Sequence, residues 1–231
     1  TQAGIFATVN LAQTKVNKSL VYDLQALADT RSPERTCHDI AVILNSEPES
    51  PFYRSIKRLG VATKGVKNEF LTQATFVENV VKLISPDPKS DRDYYMSESK
   101  FWRKSKKISH MDVDSLKKYF FRKAFVEDRD EVIASNILNF FNAVMKKWPV
   151  AWSKNEKRSS LNKSVGFAAL MRVFKDIYRS ENDSLSWDFV VGEDRYYKRL
   201  CKCSKDDEFF LNIEPSTRSI KVIYDAISCL D

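Results

Sequence analysis

Apolar side chains recur every three to four residues in several parts of the chain, which is the spacing of one face of an α-helix. The longest such stripe lies in residues 131–148 and predicts a helix whose apolar face packs into a core. Shorter stripes predict helices over residues 17–29, 161–180 and 217–230. The members of the longest stripe are Ile133, Ile137, Phe140, Phe141, Val144 and Trp148.

Residues suited to helix ends place further helices. Ser32-Pro33 and Ser50-Pro51 each combine an N-cap residue with proline at the first helical position, so we predict a helix start at both. The first helix runs to about Asn45, and Gly60 ends the second. Residues 75–78 have the spacing of a capping box and predict another start, with the alternative that residues 69–74 are already helical.

The second half of the chain is also predicted to be helical. Asp114 and Asp130 are placed to cap helices over residues 115–125 and 131–148. Residues 194–203 favour another helix, whereas 209–213 favour a short strand. Strands and helices do not alternate as they do in βαβ units. We therefore predict an all-α fold, or a mainly α fold with one or two short strands, in a multi-helix globular domain.

Residues 86–110 interrupt the helical pattern. They contain Pro86, Pro88 and a basic cluster, with little apolar periodicity. This composition predicts a basic loop that connects an N-terminal helical region, residues 1–85, to a C-terminal helical region, residues 111–231. We expect the two helical regions to pack as one domain.

The composition of the 231-residue chain is that of a globular protein. It is 43% hydrophobic and contains 15 Phe, 9 Tyr and 4 Trp, which is enough bulky material for a substantial core. No run of about 18 apolar residues is present, so we predict no membrane-spanning helix. The first residues do not resemble a signal peptide, and the four cysteines are too few for a disulfide scaffold. These features predict a cytoplasmic protein without a membrane partner.

The net charge of +7 is unevenly distributed. Residues 100–123 hold nine basic side chains against two acidic ones, and residues 131–175 hold eight against two. Residues 176–231 are mildly acidic, with 8 basic and 12 acidic side chains. A basic middle region of this kind favours a polyanionic partner.

Motifs that carry catalytic or metal chemistry are not found in the sequence. The five glycines are too scattered for a phosphate-binding loop, and no G-x-S-x-G nucleophile motif is present. His38 and His110 lie in unrelated contexts, and Cys201 and Cys203 form a lone C-x-C that lacks the other ligands of a zinc site. We predict no catalytic residue, no metal site and no cofactor.

The basic clusters are the strongest candidate site. Cations that flank aromatic side chains can bind phosphates while the rings stack on bases. A solvated helix face is the alternative for each cluster alone. Lys118 and Arg122 are expected to share a helix face. The predicted DNA-binding residues are Lys100, Trp102, Arg103, Lys104, Lys106, Lys107, Lys117, Lys118, Arg122 and Lys123.

Two further features leave alternatives open. A third basic cluster, Lys154, Lys157, Arg158 and Lys163, follows Trp152 in a polar loop and the start of a helix. Asn136, Asn139 and Asn142 recur every three residues on the longest predicted helix. These amides could bind a partner or a base edge, or they could bind neighbouring backbone.

Four strings in the chain go beyond general composition. They are IFATVNLAQTKVNKSLVYDL (5–24), SPFYRSIKRLG (50–60), LTQATFVENVVKLIS (71–85) and NFFNAVMKKWPVAW (139–152). Together they resemble the C-terminal part of the DGQHR-domain proteins, which include the DndB-like proteins of DNA phosphorothioate-modification clusters. The family's naming motif, Asp-Gly-Gln-His-Arg, is not in this sequence.

The resemblance implies a helical module with a DNA-associated role in bacterial DNA modification, its regulation, including transcription regulation, or phage defence. DNA is then the expected partner, with other DNA-modification proteins as further partners, and the oligomeric state is left open. Two other functions are compatible with the sequence. The chain could be a protein-interaction scaffold in a DNA-modification complex, or the non-catalytic half of a nucleotide- or DNA-processing enzyme.

Overall fold

The computed structural model of the chain describes residues 17–19, 21–22, 30–97, 112–181 and 189–228. Within these ranges the fold is mainly α, with eleven assigned α-helices and one pair of two-residue strands. The predicted fold class is therefore confirmed. Most of the helix predicted over residues 17–29 lies outside the described ranges.

The helices follow one another closely along the chain. They are α1 (Pro33–Ser46), α2 (Gln73–Val81), α3 (Pro88–Ser97), α4 (Val113–Lys118), α5 (Arg122–Val126), α6 (Asp130–Lys147), α7 (Pro149–Trp152), α8 (Ser164–Ser180), α9 (Glu193–Leu200), α10 (Asp207–Leu211) and α11 (Ser219–Ser228). The strands β1 (Ile56–Lys57) and β2 (Leu71–Thr72) pair in parallel, with Ile56 opposite Leu71, and a 3₁₀ turn (Arg58–Gly60) follows β1.

The helix starts predicted at Ser32-Pro33 and at Thr75 have different outcomes. The prediction for Ser32-Pro33 is confirmed, because the Ser32 hydroxyl accepts a hydrogen bond from the Arg35 amide at 3.1 Å. The predicted capping box at Thr75 is wrong by one turn. Thr72 is the N-cap of α2, and its hydroxyl accepts from the Thr75 amide at 3.2 Å.

The helix predicted after Ser50-Pro51 does not form. The side-chain oxygen of Asn45 accepts hydrogen bonds from the amides of Ser55 and Ile56 at 2.9 and 2.8 Å. Residues 51–55 form turns instead, with the Tyr53 amide bonded to the Ser50 carbonyl and the Ser55 amide to the Phe52 carbonyl, each at 2.9 Å, and β1 follows. Gly60 ends the 3₁₀ turn with a φ of 70°, a conformation that favours glycine.

The predicted loop over residues 86–110 is helical in its first part. The Asp87 carboxylate accepts from the amide and the hydroxyl of Ser90, at 3.1 and 2.8 Å, and Pro88 occupies the first position of α3. These bonds lower the pKa of Asp87. The sequence signal for this helix start was present, but the polar composition of the segment obscured it. The remainder of the predicted loop, residues 98–110, lies outside the described ranges.

The helix predicted over residues 115–125 is interrupted, and its N-cap is Asp112, not Asp114. α4 ends at Lys118 and α5 begins at Arg122. Phe120 and Phe121, which lie between them, are both fully buried. The Phe121 amide donates to the Leu83 carbonyl at 3.0 Å, and this bond replaces a helical one. The interruption therefore lets two successive aromatic side chains enter the core.

Two further local predictions are wrong. Asp130 is not the N-cap of α6 but its first residue, since its carboxylate accepts from Arg31 at 2.7 and 2.9 Å. Residues 209–213 do not form a strand. Asp206 caps α10 by accepting from the Phe209 amide at 3.2 Å, and residues 207–211 become helical.

The centre of the core is α6. Every member of its predicted apolar stripe is fully buried, which confirms that the stripe packs inside the protein. α6 packs on α9 and α1, whereas α8 packs on α11 and α2. One continuous cluster of buried residues draws members from residues 37–84 and from 120–227. The helices predicted over 161–180, 194–203 and 217–230 correspond to α8, α9 and α11 within a few residues.

Candidate nucleic-acid interface

The structure describes only part of the predicted DNA-binding set. Six of its members, Lys100, Trp102, Arg103, Lys104, Lys106 and Lys107, lie outside the described residues. The other four are described, and they do not form one surface.

Lys117 and Lys118 are exposed at the C-terminal end of α4. The helix is held at its other end by Asp112, whose carboxylate accepts from the Ser115 amide at 2.9 Å and from the Ser115 hydroxyl at 3.0 Å. The same bonds lower the pKa of Asp112. Lys117 pairs with Asp114 at 3.0 Å, but both side chains are exposed, so water screens this pair.

Arg122, the first residue of α5, is buried, with a relative exposure of 4%. Its guanidinium donates two hydrogen bonds to the carboxylate of Asp91 on α3, at 2.5 and 2.7 Å, and Ser85 donates to the same carboxylate. The expectation that Lys118 and Arg122 share a helix face is wrong, because α4 ends at Lys118 and α5 begins at Arg122. Arg122 joins α3 to α5, and Lys123 is half-buried beside it.

Two cations of α8 approach α4 and were not among the predicted site residues. The Arg179 side chain donates from Nε to the Lys117 carbonyl at 2.7 Å. Lys175 lies one turn earlier on α8 and is half-buried. Burial and then the nearby Arg179 lower the pKa of Lys175; Asp176 opposes the shift, and Lys118 adds to it.

Lys117, Lys118, Lys175 and Arg179 therefore form one group of like charges, which we name the α4–α8 patch. Asp176, the acidic group beside it on α8, accepts a hydrogen bond from the Tyr224 hydroxyl at 2.7 Å. Mutual repulsion makes such a group a favourable place for an anion. The sequence did contain one usable signal, since positions 175 and 179 of a predicted helix share a face.

Three members of the third basic cluster, Lys154, Lys157 and Arg158, and the more distant Arg54 make up a second set of cations, which we name the Lys154 surface. The fourth member of the cluster, Lys163, is the residue before α8 and is not included. The loop that follows α7 lies against the segment before β1. Lys154 donates from Nζ to the Tyr53 carbonyl at 3.4 Å, and Asn68 bonds to Asn155 at 3.1 Å. Residues distant in sequence thus contribute to one basic surface.

The asparagines of α6 bind backbone, which resolves the alternative for two of the three. Asn136 is fully buried and donates to the carbonyls of Val132 and Phe189 at 2.8 and 2.9 Å. Its oxygen accepts from the Val191 amide at 3.0 Å and the Tyr196 hydroxyl at 3.1 Å. Burial raises the pKa of Tyr196 well above its ordinary value, so this hydroxyl keeps the proton that it donates.

Asn139 and Asn142 differ from Asn136 in how fully they are bonded. Asn139 donates to the Val191 carbonyl at 2.8 Å. The buried oxygen of Asn142 has no hydrogen-bond partner within the described residues. Asn136 and Asn139 therefore hold residues 189–191 on α6, and the fully bonded Asn136 is not available to a base edge.

Cysteine and histidine side chains do not assemble a reactive site in the described ranges. Cys37 is fully buried on α1, and burial raises the pKa of its thiol well above the ordinary value. His38 lies 3.0 Å from the carboxylate of Asp39. Across the residues that the structure describes, no group of three His, Cys, Asp or Glu side chains could hold a metal ion.

No protein-family model, curated protein or solved structure matches this chain. The resemblance to the DGQHR-domain proteins therefore stays a prediction that rests on the four sequence strings. None of the helices in the described ranges is both long enough and apolar enough to cross a lipid bilayer.

Proposed function

We propose that this chain is a DNA-associated helical module that binds the phosphate backbone of duplex DNA through the α4–α8 patch. The observation that carries the proposal is the convergence of four cations from two helices, with a lowered pKa at Lys175. A phosphate group placed there relieves the repulsion among these cations. Binding of this type depends on charge and not on sequence.

The basic cluster of residues 100–107 belongs to the same proposal. It precedes α4 directly in the sequence, so the chain concentrates nine cations in residues 100–123. Arg122 is excluded from the proposed interface, because its guanidinium is committed to Asp91. The proposed role in bacterial DNA modification, its regulation or phage defence rests on the resemblance to DGQHR-domain proteins.

A titration against labelled duplex DNA at several salt concentrations tests the proposal. The logarithm of the binding constant should fall linearly with the logarithm of salt concentration, with a slope of about 0.9 for each neutralised phosphate. The double variant Lys118→Glu/Lys175→Glu should lower the affinity for duplex DNA at least tenfold at 0.1 M salt. The salt dependence should become shallower by the amount expected for about two fewer neutralised phosphates. Reversing the charge at Arg103, Lys104 and Lys106 should also weaken binding.

A matched control carries the same change in net charge at exposed lysines that are not members of the patch. Lys198 on α9 and Lys221 on α11 are both exposed, so Lys198→Glu/Lys221→Glu provides it. Equal losses in the two double variants would show that only the overall charge matters, and the site assignment would then be wrong. If the chain itself fails to bind duplex DNA, the proposed function is wrong.

A further inference from the structure

A cleft opens beside the Lys154 surface, on the side of the cations that faces α6 and α7. Its volume is about 290 Å³, which is close to the lower end for small-ligand pockets. A space of this size accommodates one small planar group and excludes a folded partner. The lining side chains include Tyr53, Phe70, Met145, Pro149, Trp152 and Lys154.

Trp152 forms the buried wall of the cleft and is fixed by a hydrogen bond and by ring contacts. The Trp152 indole donates to the Pro51 carbonyl at 3.1 Å and is 2% exposed. Its ring centre lies 5.3 Å from that of Phe70 and 5.1 Å from that of Phe141 in the core. Tyr53 and Phe70 are only half-buried, so their rings remain accessible from the cleft.

Cations are concentrated at the edge of this cleft. The ammonium of Lys154 and the guanidinium of Arg54 lie over the Tyr53 ring, 5.7 and 5.8 Å from its centre, in cation–π contacts at the long end of the usual range. In the described part of the chain, neither cation has a carboxylate within ion-pair distance. Lys157 and Arg158 follow Lys154 in the same loop and are exposed.

Among the described residues, the exposed Glu47 and Glu49 precede Arg54 but neither lies within ion-pair distance of Arg54 or Lys154. Two other carboxylates near these cations are already engaged. Glu69 is buried and accepts from the amide and the hydroxyl of Thr63, each at 2.7 Å. Glu156 accepts from the Arg158 amide at 2.8 Å and pairs with its guanidinium at 3.5 Å. The edge of the cleft therefore keeps an excess of positive charge.

We infer that this cleft binds an unpaired nucleotide of a single-stranded nucleic acid, with the base against Tyr53 and Phe70 and the phosphate beside Lys154 and Arg54. Aromatic side chains provide stacking surfaces for bases, and neighbouring cations follow the backbone. The cleft is large enough for a single base, whereas a duplex needs a broad, flat surface. The inference rests on the proposed nucleic-acid function for the kind of ligand, but on separate residues.

A comparison of three labelled probes tests this inference on the full chain. They are a hexathymidine oligonucleotide, an abasic oligonucleotide of the same length and charge, and a hexaglutamate peptide. The oligonucleotide with bases should bind about tenfold more tightly than the abasic one, as expected for stacking of one base. Equal affinity for the first two probes, or for the first and the peptide, would overturn the inference.

Variants assign the effect to the cleft. Tyr53→Ala should remove most of the preference for bases, whereas Lys154→Gln should weaken both oligonucleotides alike. Tyr197→Ala is the matched control, because Tyr197 also has a lysine, Lys146, 4.6 Å from its ring centre but does not line the cleft. A base preference unchanged in Tyr53→Ala would place the base elsewhere and refute the assignment.

The outcome for the cleft can be separated from the outcome for the α4–α8 patch. Tyr53→Ala should leave the affinity for duplex DNA unchanged, and Lys118→Glu/Lys175→Glu should leave the base preference unchanged. Failure to bind duplex with an intact base preference would contradict only the proposed function. Duplex binding without a base preference would contradict only the cleft.

Discussion

The two basic surfaces of this chain are supported in different ways. The Lys154 surface lies on an aromatic cluster, in which the Trp152 ring centre is 5.7 Å from Phe52 and 5.1 Å from Phe141. The α4–α8 patch is supported by polar contacts. Arg122 is paired with Asp91 behind α4 and α5, and Arg179 is bonded to the end of α4.

This difference determines how each surface should respond to a change in sequence or solution. Packing among aromatic rings is spread over many weak contacts and does not depend on ionisation. A buried ion pair depends on both partners, and removal of one leaves an uncompensated charge. Replacing one polar residue that supports the α4–α8 patch should therefore lower the affinity for duplex DNA but leave the preference of the cleft for a base unchanged.

The largest effect is expected at the buried ion pair. Arg122→Ala leaves the Asp91 carboxylate buried without its cation, so the free energy of unfolding should fall by about 3–5 kcal/mol. Urea denaturation measures this loss. Where the variant is still folded, its affinity for duplex DNA should fall more than its preference for a base-bearing oligonucleotide.

The double variant Asp91→Leu/Arg122→Leu is the control for this experiment. Replacing both charges with apolar groups removes the uncompensated carboxylate, so most of the stability should return. Ordinary surface substitutions change the free energy of unfolding by less than about 0.5 kcal/mol. A change this small in Arg122→Ala would contradict a supporting role for the ion pair.

A smaller effect is expected under the cleft. Trp152→Phe keeps an aromatic ring but removes the donor to the Pro51 carbonyl, which should cost about 1–3 kcal/mol in free energy of unfolding. The preference for bases should fall, because the cleft wall moves, and the affinity for duplex DNA should stay the same. A reduced duplex affinity would show that the two surfaces are coupled.

A still smaller stability effect is expected where α8 contacts α4. Arg179→Met removes the hydrogen bond to the Lys117 carbonyl and should lower the free energy of unfolding by about 1 kcal/mol. Duplex affinity should fall severalfold, since the variant also loses one cation of the patch. Arg172→Met on the same helix, at an exposed position, is the matched control and should change duplex affinity less.

The smallest effect concerns pH and the cap of α4. Hydrogen bonds from Ser115 lower the pKa of Asp112 in the folded chain. The stabilisation they give is complete above the ordinary pKa of an aspartate, about 3.9, and is lost as pH falls through the lower folded value. Asp112→Ala should therefore be slightly less stable than the parent at pH 7, and the difference should shrink below pH 4. Urea denaturation at the two pH values measures it, and a difference that does not change with pH would rule out this role.

The fold was largely predictable because its strongest signals are repeated along the chain. The apolar stripe of residues 133–148 determines both the existence of α6 and which face it buries. The interruption between Lys118 and Arg122 was not predictable from local pattern. It depends on Leu83, which is distant in sequence and supplies the carbonyl that receives the Phe121 amide.

The candidate site was predictable only in part. Composition identified Lys117, Lys118 and Lys154 as members of basic clusters, and the structure finds them in two separate surfaces. Lys175 and Arg179 join the first surface through helix packing, which no single stretch of sequence specifies. Arg122 is buried and paired with Asp91, and local sequence does not distinguish such an arginine from an exposed one.

The Asn136 amide has a consequence for recognising distant relatives of this chain. Both of its N–H donors and both acceptor sites of its oxygen are occupied, a combination that neither aspartate nor leucine can reproduce. One of its partners is the hydroxyl of Tyr196, sixty positions later. Asn136 and Tyr196 should therefore be retained or lost together during divergence, and this pair is a signature that could be sought in sequences too different to align elsewhere.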